Sequence, residues 1–234
     1  MAGAGSVGSE ADNEERARLI EGASALGVTL GESQARKLQR LLDELARWNR
    51  AYNLTSIVDR NGMLTHHLLD SLSVAPHVAG ETVADVGTGA GFPGLPLAIV
   101  DPQRRYTLID SGNKKIRFVA HAARSLGLEN VEPVHSRVED LDPAVPFDTV
   151  VARAFAPLPR LLALVRPLCG PQTRVLAMKS VRLDEELLGL DPCWQLDRNL
   201  LLTIPGLAAS RALAVLRLAG EGSGRGRESL NSPA

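Results

Sequence analysis

Between Glu32 and Arg50 the apolar residues recur at steps of three and four. Leu38, Leu41, Leu42, Leu45 and Trp48 fall on one side of a helical projection, and Arg36, Lys37, Arg40, Asp43, Glu44 and Arg47 take the rest. That period predicts an amphipathic helix, with Thr29 or Ser33 available to cap its start. Asn61–Val74 reads as a second helical stretch, ended by Pro76. From Thr82 the rhythm changes, and short apolar runs alternate with longer amphipathic ones. Strands are predicted at Thr82–Val86, Arg105–Ile109, Val131–His135, Thr149–Ala152, Arg174–Met178 and Leu213–Leu218. Helices are predicted at Gly94–Val100, Asn113–Leu126 and Leu158–Leu168. One further strand within Trp194–Ile204 would turn the end of the sheet antiparallel. Strand and helix in turn imply an α/β fold with a mostly parallel sheet, right-handed crossovers and helices on both faces.

Composition sets the limits of this picture. Residues 1–13 are rich in Gly, Ala and Ser and are expected to be disordered, and residues 220–234 are expected to form a flexible tail. Between them lie a helical extension over 14–78 and an α/β core over 79–219. A chain of 234 residues with 44% hydrophobic and 23% charged residues can bury one large core. Cys169 and Cys193 match neither a disulfide framework nor a metal site, and both read as packing residues. No apolar run approaches the roughly 18 residues of a membrane span, and the start lacks a basic and then apolar leader. A cytoplasmic chain with no membrane partner and no bound metal is expected, and nothing in the sequence argues for an oligomer.

The formal net charge of -1 conceals an uneven distribution. From Arg104 to Arg137 there are seven basic residues (Arg104, Arg105, Lys114, Lys115, Arg117, Arg124, Arg137) against three acids, a local excess able to steer a polyanion. A solvated helix face would look the same. The chemistry is concentrated instead in Val83-Ala84-Asp85-Val86-Gly87-Thr88-Gly89-Ala90-Gly91-Phe92-Pro93-Gly94, a buried strand that exits into a glycine turn. Such an exit in an open α/β sheet suits an adenosine-containing cofactor. Phe92 stands where a dinucleotide fingerprint has its last glycine, and no Gly-Lys-Ser/Thr closes a phosphate loop. S-adenosyl-L-methionine is favoured over a nicotinamide cofactor on that ground. Asp110 at the end of the second strand can accept from both ribose hydroxyls, and Ser136-Arg137-Val138-Glu139 follows the third strand where an adenine would lie.

Absences narrow the acceptor. After the fourth strand stands Ala152-Arg153-Ala154-Phe155-Ala156-Pro157, not the polar-Pro-Pro-aromatic turn common in base-amino methyltransferases. Carbon-5 pyrimidine chemistry needs a reactive thiolate, which neither cysteine context suggests. Guanine N7 has a ready lone pair and needs alignment more than a general base. Arg153, at a strand's carboxyl end, is a donor to substrate or to the cofactor carboxylate, unless it only forms a fold-locking ion pair. Lys114, Lys115, Arg117 and Lys179 are candidates for holding RNA phosphates. His66 and His67 are neighbours on a predicted helix and should face different directions. With Asp70 near, His67 either borders the base pocket or is a structural residue. Phe92 and Phe155 either stack on a base or belong to the core.

These residues also carry a likeness. Trp48-Asn49-Arg50-Ala51-Tyr52-Asn53-Leu54-Thr55, His67-Leu68-Leu69-Asp70-Ser71, the glycine turn, Asp110-Ser111 with Lys114-Lys115-Ile116-Arg117-Phe118, Arg137-Val138-Glu139, Arg153-Ala154-Phe155 and Met178-Lys179 occur together. The chain resembles the bacterial 16S ribosomal RNA (guanine-N7) methyltransferase family, historically called glucose-inhibited division protein B, over roughly Leu26 to Leu218. The resemblance implies a Rossmann-like S-adenosylmethionine-dependent core behind a helical extension, and methylation of N7 of guanine 527 in 16S ribosomal RNA. The partner is then that RNA, within the small ribosomal subunit or an assembly intermediate. It implies cofactor contacts at Gly87, Phe92, Val138, Glu139 and Arg153, beside Gly89 and Gly91 from the turn and Asp110 from the end of the second strand. It also implies that Asn53 and His67, with Arg153, help to position the target. Departures from the family pattern are His66 for a common arginine, Ser180 for glycine, and Arg217 for a lysine in the last strand.

Overall fold

A computed structural model describes residues 10–153, 156–179, 183–208 and 210–220. Seven strands form one sheet: β1 (Thr82–Val86), β2 (Arg105–Asp110), β3 (Val131–His135), β4 (Phe147–Arg153), β5 (Cys169–Lys179), β6 (Trp194–Leu202) and β7 (Arg211–Leu218). Their spatial order is β3-β2-β1-β4-β5-β7-β6. Pairings from β3 through β5 are parallel, and β7 pairs antiparallel with both β5 and β6, so β7 alone runs against the rest. The further strand expected before the last is therefore present. The order reverses at β1 and β4, so the carboxyl ends of those strands open onto a crevice.

Side chains alternate across the central strands and feed two cores. Val83, Leu108, Val151, Leu176 and Leu213 join the first, which also holds Leu38, Leu41, Leu42 and Leu45. Ala84, Val86, Ile109, Val150 and Val175 join the second, with Leu158, Leu161, Leu162 and Val165. The first core is covered by α1 (Glu10–Ala25), α2 (Glu32–Tyr52), α5 (Gly94–Val100) and α6 (Asn113–Leu126). The second is covered by α7 (Leu158–Val165). Both faces of the parallel region are thus dry, as near-continuous apolar strands require.

The extension departs from expectation in several places. Helix α1 begins at Glu10, so Glu10–Asn13 are helical and not disordered. The acidic, alanine-rich α1 has little apolar period to reveal it, and only Leu19, Gly22 and Ala23 are buried. Tertiary partners hold it: Arg60 bonds Glu15 at 2.6 Å, and Gln39 Nε2 donates to the Asp12 carbonyl at 2.8 Å. Neither Thr29 nor Ser33 caps α2; Gly31 precedes it, and the Gln34 side chain reaches back to accept from the Gly31 N–H at 2.9 Å. The second helical stretch is broken into α3 (Arg60–Met63), a π-helical segment Leu64–Leu69 and α4 (Asp70–Leu72). Pro76 lies within a separate short turn, Ala75–His77. No helix among the described residues is long and apolar enough to cross a membrane. The expected tail from residue 221 and the Phe155 candidate lie outside the described residues, as does Ser180.

Candidate active site

The glycine turn leaves β1 with Gly87, Gly89 and Gly91 at φ values of 69°, 61° and 85°. Other residues populate that region at a cost of roughly 1–2 kcal/mol. A Cβ on Gly89 would meet nothing within 4 Å, whereas one on Gly91 would lie 2.3 Å from Leu95 Cδ1. Gly91 serves the packing of α5, where a side chain would collide with Leu95, and it is not among the residues lining the two cavities at the end of the sheet. Beneath the turn, Asp85 Oδ2 accepts from Thr88 Oγ1 at 2.5 Å and from the Gly94 N–H at 2.7 Å. Burial pushes the Asp85 carboxyl up to about 6 against those two bonds, and its Oδ1 has no partner. Across the crevice, Asp110 accepts from the Gly89 N–H at 2.9 Å and from the Gly112 N–H at 2.7 Å. Lys115 Nζ stands 3.4 Å from the same carboxylate.

Two cavities open at the carboxyl end of the sheet. One, of about 490 Å³, has apolar walls from Ile109, Val138 and Leu164, and carries Asp110, Ser136 and Glu139. Val138 is buried in a short turn directly after β3. The other, of about 540 Å³, is walled by Thr55, Phe92, His66, His67, Asp70 and Arg211. They meet at Gly87, Lys115 and Arg153, which line both.

Arg153 ends β4 between these spaces. Its Nη1 donates to Asp70 Oδ2 at 3.1 Å and to the His66 carbonyl at 2.9 Å, and its guanidinium lies 5.7 Å from the Phe92 ring centre. Asp70 Oδ1 accepts from Arg211 Nε at 3.1 Å, so one buried carboxylate holds two arginines. The π-helical turn brings this about. Its widened hydrogen bonding runs from the Asp70 N–H to the Thr65 carbonyl. It also swings successive side chains through a smaller angle than an α-helix does. Within this turn His66 and His67 both line the larger cavity, although regular helical geometry predicted that they could not.

His67 stacks on Phe92 at 4.8 Å, its Nε2 lies 3.0 Å from Thr55 Oγ1, and its Nδ1 is buried without a partner. Burial first, then the charge of Arg153 and the neighbouring His66, lowers its pKa to about 4. The ring is neutral at pH 7. Thr55 is fixed in turn by Asn49, whose side chain bonds the Thr55 N–H at 2.8 Å and its carbonyl at 2.9 Å. Asn53, expected to position the target, is an exposed left-handed residue (φ 50°) that ends α2, and it is not among the residues lining either cavity.

The expected phosphate-holding residues separate into three kinds. Lys114 and Arg117 are exposed on α6. Lys115 is committed to Asp110 and both cavities. Lys179 is bonded to the Ala156 carbonyl and to Glu186 at 2.8 Å, so its charge already has partners. Cys169 is buried, and burial pushes its thiol up to about 12. Cys193 is exposed, not packed, in the turn entering β6, where its N–H donates to Asp191 Oδ1 at 2.8 Å. Sequence reading missed Arg211 and the Asn49–Thr55 pair. The predicted reversal of the last strand was the available signal for Arg211, since the first residue of such a strand lies at the carboxyl end of its neighbours.

The family of rRNA small subunit methyltransferase G matches residues 34–214. The chain belongs to this family. A ribosomal RNA small subunit methyltransferase G of Stutzerimonas stutzeri is 45% identical over 214 residues, covering 91% of this chain and 98% of that protein. One from Pseudomonas paraeruginosa is 46% identical, covering 85% and 94%. Solved structures extend the likeness of fold. TrmN from Thermus thermophilus is 21% identical with a TM-score of 0.52, covering 74% of this chain and 52% of its own. The M. capricolum protein TrmK, solved with S-adenosyl-homocysteine, is 11% identical with a TM-score of 0.51, covering 63% and 67%. As a member of the rRNA small subunit methyltransferase G family, the chain is an S-adenosylmethionine-dependent methyltransferase that acts on 16S ribosomal RNA. The smaller cavity fits that cofactor, since a carboxylate ends β2 and apolar walls flank it, and the open space at Gly89, on the side of the larger cavity, continues past the shared Gly87.

Proposed function

We propose that the enzyme methylates N7 of guanine 527, with the cofactor's adenosine in the smaller cavity and the guanine in the larger. The observation that carries this reading is the junction of the two cavities at Gly87, Lys115 and Arg153. Donor and acceptor would then meet across the glycine turn, and alignment would supply most of the rate. S-adenosyl-L-methionine, when bound, supplies an electrophilic methyl on a sulfonium. Asp110 accepts from the ribose, Val138 and Glu139 border the adenine, and Gly87 and Gly89 admit the cofactor backbone. Phe92 closes the pocket between His67 and Arg153. Arg153 donates to the cofactor carboxylate or to the substrate, held in place by Asp70.

Several features favour N7 as acceptor. Its lone pair needs no base, which agrees with a buried His67 whose pKa, lowered to about 4, makes it a poor proton acceptor. No covalent step is called for, and both cysteines lie outside the two cavities. Of the four cations lining the larger cavity, Lys115 is paired with Asp110 and Lys179 with Glu186, while Arg153 and Arg211 share the one carboxylate of Asp70, which leaves an excess of positive charge at the arginines to favour a polyanion.

The enzyme acts as a single chain in the cytoplasm, on the small subunit or an assembly intermediate. The test is methylation of free 16S RNA, small subunits and whole ribosomes prepared from a strain without the modification, with the modified nucleotide mapped. The reading expects 7-methylguanosine at position 527, formed fastest on one of the subunit-sized substrates. A product on another atom or another nucleotide would overturn it.

A further inference from the structure

The antiparallel packing of α2 against α6 follows a simple register. Arg40 Nη2 donates to the Ser125 carbonyl at 2.9 Å. One turn on, Glu44 lies 2.7 Å from His121 Nε2. One turn further, Trp48 meets the rings of His121 at 5.0 Å and Phe118 at 5.6 Å. Continuing by a turn on each helix brings Tyr52 opposite Lys114 and Arg117, which precede Phe118 and His121 by one turn on the same face. Tyr52 lies 5.3 Å from Trp48, ring centre to ring centre, so its own position is supported from below.

Tyr52 is nevertheless 37% exposed, in a chain with only eight aromatic side chains (four Phe, two Tyr, two Trp). It does not itself line the larger cavity, but the chain runs from it through the left-handed Asn53 into Leu54 and Thr55, which do, and Lys115 of α6 lines that cavity too. An exposed ring on a rigid base, with two exposed cations opposite and the cavity reached two residues on, has the makeup of a single-strand RNA contact. Bases stack on such rings, and nearby cations hold the connecting phosphates.

We propose that Tyr52 is a stacking platform for an unpaired nucleotide next to the target guanine, with Lys114 and Arg117 on its phosphates. The proposal rests on the reading of the larger cavity as the guanine site. It gives the substrate class a shape: the target is presented from a single-stranded segment whose neighbouring base leaves the stack and is taken up by the protein. The hydroxyl of Tyr52 has no part in this; the ring does the work.

The experiment compares Tyr52→Ala, Tyr52→Phe and Tyr52→Trp in methyl transfer to unmodified small subunits, alongside calorimetric binding of S-adenosyl-L-methionine. Loss of one stacked base is worth about tenfold or more in affinity. Tyr52→Ala should therefore raise KM for the RNA substrate about tenfold, with kcat and cofactor Kd within about twofold of the parent. Tyr52→Phe and Tyr52→Trp should restore the parent KM. An unchanged KM in Tyr52→Ala overturns the proposal. So does an equal loss in Tyr52→Phe, which would assign the effect to the hydroxyl, or a parallel loss of cofactor affinity, which would assign it to support of the fold. If the wild type transferred no methyl to guanine, both readings would fall; an active wild type with an indifferent Tyr52→Ala removes only this one.

Discussion

Gly89 and His67 show how differently two residues of one site can act. At Gly89 the backbone is left-handed, and a side chain would point into open space beside Asp110. Gly89→Val should therefore fold with a loss of about 1–2 kcal/mol from the strained φ and lose cofactor affinity by more than tenfold. Calorimetric titration with S-adenosyl-L-methionine checks this, and near-parent affinity would remove Gly89 from the cofactor's path. His67 affects stability through pH. Its folded pKa of about 4 lies below the ordinary 6.5, so the unfolded chain takes up a proton first as the solution is acidified. The wild type should lose about 3 kcal/mol on this account between pH 7 and pH 4, a loss that His67→Gln cannot have. Urea unfolding of both proteins across that range should show the wild type's advantage shrinking by that amount; parallel curves would refute it. Sequence revealed these positions through the glycine run and the His67–Asp70 spacing. It could not reveal that Gly91 answers to Leu95, that Asn53 ends a helix, or that Lys179 already has Glu186, because these partners, close in the chain, are set by the backbone geometry of the turns between them and not by residue type.

Among the elements, the strands were legible because a sheet buried on both faces writes itself as apolar runs with sharp ends. Helix α6 was legible over the same Asn113–Leu126, and the left-handed φ of 61° at Gly127 is what stops it. Helix α1 was not, since ion pairs and not an apolar stripe hold it, and the π turn was not, since its extra residue leaves no mark on the pattern of Leu64–Leu69. Contacts between elements also carry the site's loops. Glu186 of α8 (Leu183–Leu187) accepts from the Leu158 N–H at the start of α7 and from Lys179 at the end of β5. Burial opposes its charge, but Lys179 and that N–H together keep its carboxyl below the ordinary range. Glu186→Gln should release both loops at once. Hydrogen exchange would then show faster amide exchange at Leu158, with the central strands unchanged; retained protection there would mean that α7 is held by its apolar face alone.

For the molecule as a whole, the useful distinction is between charge spent inside the fold and charge left for a partner. Lys115 belongs to the first group, bound to Asp110 where both cavities meet, so its removal should disturb cofactor and RNA together. Lys114 and Arg117 belong to the second. Lys114→Ala combined with Arg117→Ala should reduce the salt slope of RNA binding by about 1.4 if each holds one phosphate of a single strand, and should leave cofactor affinity unchanged. Binding measured across ionic strengths decides this, and an unaltered slope would take α6 out of the RNA interface. The reversed strand β7 has a different consequence. Arg211, its first residue, reaches Asp70 across 141 positions of sequence. Asp70 comes from the helical extension, Arg153 from the centre of the sheet and Arg211 from its reversed strand, so a change at Arg211 should be felt at Arg153 through the carboxylate they share, although the two arginines lie far apart in sequence.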